Sequence, residues 1–115
     1  MQKLQFSAVS AGSLAPGAAI AGTAYLVPAH KNFTAKRFLG SMVGAGYLDL
    51  EEGLVTAGVL ARTKAVSLFF PAPGTQDVPD LHFVVPALHT VRCFVNSGAG
   101  PLAVTTCYWE GYEEP

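Results

Sequence analysis

Four side chains of zinc-ligating types stand in the second half of the chain: His82, His89, Cys93 and Cys107. Zinc takes thiolate sulfur and imidazole nitrogen in a tetrahedral shell, and structural sites gather those ligands in close-set pairs such as CxxC. Here six residues separate the two histidines and thirteen the two cysteines. The plainer reading is two histidines at strand edges and two thiols in a core, with no metal ion bound. Hydrolytic chemistry has less to work with. The chain contains no GxSxG, no HExxH, and no cysteine or serine with a base beside it. His30 with Asp49 or Asp80 makes a remote dyad that nothing else favours. Asp77 and Asp80 flank Pro79, but two carboxylates fall short of the oxygen shell that calcium needs. No GxGxxG opens a helix and no GxxxxGK[ST] occurs, so no phosphate loop is present. The chain reads as a non-enzyme without a cofactor.

The elements that carry these residues read as strands. The clearest signal is Thr90 to Tyr112, where Val91, Cys93 and Val95 alternate with Arg92, Phe94 and Asn96, and Leu102 to Trp109 alternate likewise. The loop between them, Asn96-Ser97-Gly98-Ala99-Gly100-Pro101, is rich in turn formers, so the stretch is expected to be a hairpin. Upstream, strands are expected over Lys3 to Val9, Ala18 to Val27, Thr34 to Val43 and Tyr47 to Glu51. Ser10 to Gly17 is read as a turn region, Gly44 to Gly46 as a bulge or tight turn, and Glu52-Gly53 as the next turn. Leu54 to Leu60 suits a strand or a short helix, and Gly58 tilts it toward strand. Thr63 to Phe70 and Asp80 to Val85 are further strands. Pro71 to Pro79 holds three of the eight prolines and is expected to be an irregular loop. About eight strands with turn signals every 8 to 15 residues suggest an all-β, single-domain antiparallel β-sandwich, jelly-roll-like, over residues 1–115.

The 115 residues suit one domain. Half are hydrophobic and only 13% are charged, about half the usual share. Such a surface cannot be covered by Lys and Glu, which points to contact with another protein, most simply a second copy. A net charge of −1 argues against nucleic acid, whose nonspecific binding needs many cationic contacts to phosphate. No apolar run reaches the roughly 18–20 residues of a membrane helix. Polar residues and Pro16 interrupt the early apolar stretch, so it does not read as a signal peptide. On the expected hairpin Cys93 and Cys107 lie on the two facing strands, directly opposite if the loop centres on Gly100 and not if it centres a residue earlier, and a bridge there is strained and uncommon. They are read as reduced thiols packed as small apolar groups, which fits an intracellular origin.

The surface candidates follow from charge and ring placement. Lys31, Lys36 and Arg37 cluster with His30, while Glu110, Glu113 and Glu114 gather late in the chain. A basic loop on one copy meeting an acidic tail on the next is one reading; two solvated ends is the other. Trp109 and Tyr112 belong to an aromatic tail of the kind enriched at interface anchors, unless Trp109 caps the core. The expected protein interface is Lys31, Lys36, Arg37, Trp109, Tyr112 and Glu113.

Two stretches, SAGSLAPGAAIAGTAYLVPA early and VRCFVNSGAGPLAVTTCYWEGYEE late, give a compact, low-charge β chain that resembles the small virion proteins of tailed bacteriophages. It is most similar to capsid decoration (cement) proteins. That resemblance implies a sandwich or jelly roll that trimerises, clamps neighbouring major capsid subunits and resides in the virion after assembly in the host cytoplasm. A carbohydrate-binding sandwich module, with exposed aromatics stacking on sugars, and a tail or neck structural subunit are the alternatives.

Overall fold

The computed structural model describes residues 2–9, 18–19, 24–42, 44–95 and 105–115. Its regular elements are all strands: β1 (Gln2–Val9), β2 (Ala18–Ala19), β3 (Tyr25–Leu26), β4 (Asn32–Met42), β5 (Gly46–Thr56), β6 (Val59–Phe70), β7 (Gly74–Val78), β8 (Phe83–Val85), β9 (Thr90–Val95) and β10 (Thr105–Glu114). One sheet runs β1–β10–β4, and β7 and β8 lie end to end along the far side of β4. The other runs β9–β5–β6, and β2 and β3 lie end to end along the outside of β9.

Taking each end-to-end pair as one interrupted strand leaves eight positions. The first sheet then holds the first, eighth, third and sixth in that order, and the second holds the second, seventh, fourth and fifth. Two four-stranded sheets shared out this way form a jelly roll. The all-β sandwich of about eight strands expected from the sequence is the fold observed.

Side-chain alternation sets which face of each strand is buried. On β4, Phe33 and Ala35 face the core, and so do Phe38, Gly40 and Met42. The phase slips between Ala35 and Phe38 because Glu110 pairs with Arg37 while Gly111 pairs with Ala35. Lys36 is the extra residue of a β-bulge, which restores the inward set beyond it. The core is centred on Trp109, fully buried on β10. Phe6 of β1 stacks on it at 4.3 Å, and Phe33 meets it edge-on at 5.3 Å. Tyr25 of β3 closes the cluster from the opposite sheet.

Four expectations are corrected. The late hairpin is not one: β9 pairs with β5, β2 and β3, whereas β10 pairs with β1 and β4, so the two strands stand in opposite sheets. In consequence Cys93 and Cys107 face each other across the sandwich rather than across a ladder. They form a disulfide, Cα atoms 6.8 Å apart, instead of two reduced thiols. The chain does not turn at Glu52-Gly53 but runs straight through as β5, and β6 accommodates Thr63 as an extra residue opposite. Gly53 suits that bulge because a Cβ there would run into the Ala61 carbonyl. The Pro-rich stretch contains a strand after all. Gly74–Val78 pairs with β4 as a sheet edge, and its prolines stay outside the paired residues. The expected turn at Ser10 to Gly17 and the late Gly/Pro loop lie outside the described residues.

Candidate interaction surface

Antiparallel winding collects three turns at one end of the sandwich: 27–31, 57–58 and 86–89. The start of β1 and the end of β10 lie there too, since Gln2 pairs with Glu113 and Glu114 with Asn32. Backbone hydrogen bonds tie two of the turns together, Val27 N–H to the His89 carbonyl and Leu88 N–H to the Val27 carbonyl.

Each of these turns holds one non-glycine residue in the left-handed region: His30 (φ 66°), Ala57 (φ 52°) and Leu88 (φ 69°). An L-residue there costs about 1–2 kcal/mol, and glycine or asparagine is the usual occupant. Leu88 bears that cost with a side chain 57% exposed, so core packing does not offset it. Strain retained at a surface position is a marker of a working site.

The turn at Ala57-Gly58 caps a hairpin arm. β5 loses its β9 partner after Gly53, which pairs with Thr90, yet β5 and β6 go on pairing to Thr56 and Val59. Residues 54–61 therefore form a two-stranded ribbon that overhangs the sheet. Positive φ at both Ala57 and Gly58 (φ 78°) is the requirement of a type I′ hairpin turn. The ribbon is apolar and open: Leu54 is 49% exposed, Val55 47% and Val59 68%. An isolated two-stranded ribbon is marginal in water, and this one carries no charge from Gly53 to Ala61.

The two outer faces differ in character. Among the described residues, the large exposed hydrophobics outside sheet 1 are Leu26, Tyr47, Leu54, Val55, Val59 and Phe69 on the strands of the second sheet, and Leu88 in the turn that enters it. Only Val84 lies on the first sheet. That first sheet instead presents a row of alternating charge across its strands, Lys3, Glu110, Arg37 and Asp77. Lys3 Nζ lies 2.8 Å from Glu110 Oε2. Arg37 grips Asp77 with two bonds of 3.0 and 2.8 Å, and that hydrogen bonding, followed by the carboxylate's charge, holds Arg37 above its ordinary value.

The second sheet also buries acids. Asp49 and Glu51 point outward from β5 but are covered. Arg62 bonds both, at 3.0 Å to Asp49 and 2.9 Å to Glu51, and Arg92 bonds Glu51 at 2.7 Å. Both guanidinium groups lie beside the Phe94 ring, at 5.5 and 5.8 Å. Desolvation opposes the Arg62 charge, but the bonds to Glu51 and Asp49 outweigh it and raise the group above its usual value. Glu52, facing inward, accepts from Thr63 Oγ1 at 2.7 Å and sits 2.6 Å from His89 Nδ1. This pair fastens the 86–89 turn to the base of the arm.

Comparison with protein-family models and with curated proteins finds no match for this chain.

The residues singled out from sequence are dispersed. Lys31 and Glu113 do meet, at 3.4 Å, but within one chain. Lys36 Nζ is 3.1 Å from His82 Nδ1, and Arg37 is engaged with Asp77. Tyr112 is half-buried on β10, level with Lys3 and Thr34. Trp109, expected at the surface, has no exposure and is corrected to a core residue. The four zinc-type side chains do not gather, because His82 adjoins Lys36, His89 adjoins Glu52 and the cysteines are bonded to each other. Sequence reasoning missed the arm. The available signal was an uncharged run, GLVTAGVLA, bounded by Glu51-Glu52 on one side and Arg62 on the other.

Proposed function

We propose that the protein is a non-enzymatic structural subunit of a virion, of the capsid-decoration type, which binds and stabilises neighbouring major capsid proteins and associates with its own copies. The observation that supports this is the segregation of exposed hydrophobics onto one sheet and the adjoining end, away from the charged row on the other sheet. The exposed apolar side chains gathered at one end, Leu26, Leu54, Val55, Val59 and Leu88, have the character of a protein contact site. A jelly roll supplies the rigid support, and many copies on one shell turn modest single contacts into firm attachment. Burial of Trp109 withdraws that ring from the carbohydrate-binding alternative, while Tyr47 and Phe69 stay exposed on the second sheet.

The test is co-sedimentation of purified protein with tailed-phage shells stripped of decoration. Saturable binding that raises the shells' melting temperature supports the reading. A protein that stays in the supernatant with every such shell contradicts it.

A further inference from the structure

We infer that the arm is a self-pairing element: β6 of one chain adds to β6 of a second copy, antiparallel, about a two-fold axis through Leu60. The inference builds on the association reading above but does not need the shell.

Three observations lead to it. First, β6 is the terminal strand of its sheet, and its outer edge makes no backbone–backbone hydrogen bond to another described segment. Such an edge is a template for a further strand. Gln76 covers part of it by donating its side-chain amide to the Phe69 carbonyl, far from the arm.

Second, the hairpin fixes which groups face outward. Thr56 and Val59 flank a two-residue turn and pair with each other, so Val59 directs its N–H and C=O at β5. Hydrogen-bonding direction alternates along an antiparallel strand, so Leu60 turns both groups to the open edge. A two-fold axis through Leu60 lets the two copies exchange those bonds, Leu60 with Leu60.

Third, charge selects this register. Edge lysines and arginines normally block strand addition. Lower on β6, Arg62 and Lys64 flank the bulged Thr63, an irregular and charged stretch that suits a new ladder less well. With the axis at Leu60, Arg62 lies opposite Gly58 and Thr63 opposite Ala57, and no like charges face. The uncharged ribbon is compatible with itself. Pairing turns two overhanging ribbons into one four-stranded sheet, β5–β6–β6–β5, with Leu54 and Val59 on one face and Val55 and Leu60 on the other. Four strands with apolar faces have the mutual support that two lack. A basic rim, which would draw the arm to an anionic membrane, is absent from residues 53–61.

The contact is at the small end of interface sizes, so the pairing depends on concentration and has the mass of a dimer, not of the trimer implied by the resemblance. Sedimentation equilibrium of the whole chain from about 10 µM to about 1 mM reads it directly. Wild type is expected to shift from monomer to dimer. L60K, which sets two lysines opposite each other, is expected to weaken the dimer at least about tenfold, with circular dichroism and melting unchanged. Leu60→Cys provides a second readout, because paired residues of this kind stand about 5.5 Å apart at Cα, within disulfide reach. Copper-phenanthroline oxidation is expected to cross-link it, and not a Val84→Cys control. A wild type that stays monomeric to about 1 mM, or an L60K protein that dimerises as wild type does, overturns the pairing. A monomer that still binds shells overturns the pairing alone, while a dimer that ignores them overturns only the proposed function. Flotation of the wild type, but not L60K, with phosphatidylcholine vesicles assigns the arm to lipid and also overturns the pairing.

Discussion

Cys93 and Cys107 lie on consecutive strands yet in opposite sheets, and their disulfide links the two layers through the core. In a hairpin centred on Gly100 the same residues would be ladder neighbours. Here the chain crosses from one sheet to the other between β9 and β10, as the seventh and eighth positions of a jelly roll must.

Reducing that bond should loosen the fold. The cysteines are separated by 14 in sequence, and closing a loop of that length stabilises by roughly 3 kcal/mol. Urea unfolding with and without a phosphine reductant is expected to differ by about that amount. Unfolded, unreduced protein should give no reaction with a thiol reagent; two free thiols would refute the bond.

Trp109 is expected to behave as the centre of the core. Trp109→Ala should cost about 3–5 kcal/mol, and removing Trp109 to Pro115 should abolish folding, because β10 lies between β1 and β4. Tryptophan fluorescence that resists acrylamide quenching in native protein is the matching signature. Free quenching would place the ring at the surface.

The arm's geometry makes two substitutions diverge. Gly53→Ala drives a methyl into the Ala61 carbonyl and should destabilise by roughly 1–3 kcal/mol. Ala57→Asn puts a residue that tolerates positive φ into the turn and should gain about 1 kcal/mol. Thermal melts of the two variants on either side of wild type check both.

Glu110 titrates below its ordinary value of 4.5, chiefly because Lys3 donates a hydrogen bond to it. Lys3 is raised above 10.5 by that hydrogen bond and by the Glu110 charge. A lowered carboxyl contributes stability above its unfolded value and loses it as pH falls through the folded value. A raised lysine contributes below its unfolded value and loses it as pH rises through the folded one. The pair therefore acts between the two titrations and fails at either extreme. NMR titration of the Glu110 carboxyl should show a midpoint below 4.5, moving up in Lys3→Met. Stability should change little, as is usual for exposed pairs.

Much of the fold is legible in the sequence because strand alternation is a local property. Lys3 to Val9 and Thr63 to Phe70 read as strands and are strands. Which strands pair is a property of the whole chain. Val91-Cys93-Val95 alternates in the same way whether its neighbour is β10 or β5, and a Gly/Pro loop looks alike in a hairpin and in a crossover. Glu52-Gly53 has turn chemistry, but a bulge asks for the same glycine. The residues of the proposed contact surface were harder to see. Lys31, Arg37 and Glu113 stand out by charge, yet each finds a partner within the chain. Leu54, Val55 and Leu88 read as core by type and are exposed only because the arm and a turn carry them past the sheets.

The attachment proposed for this molecule runs through its apolar end and not through the charged outer face of the first sheet. Shell co-sedimentation of two variants compares the surfaces directly: Leu26→Asp with Leu88→Asp at the end, and Lys3→Ala with Arg37→Ala on the face. The first is expected to leave the protein folded and in the supernatant, while the second pellets with the shells as wild type does. Binding kept by the first and lost by the second would contradict the claim.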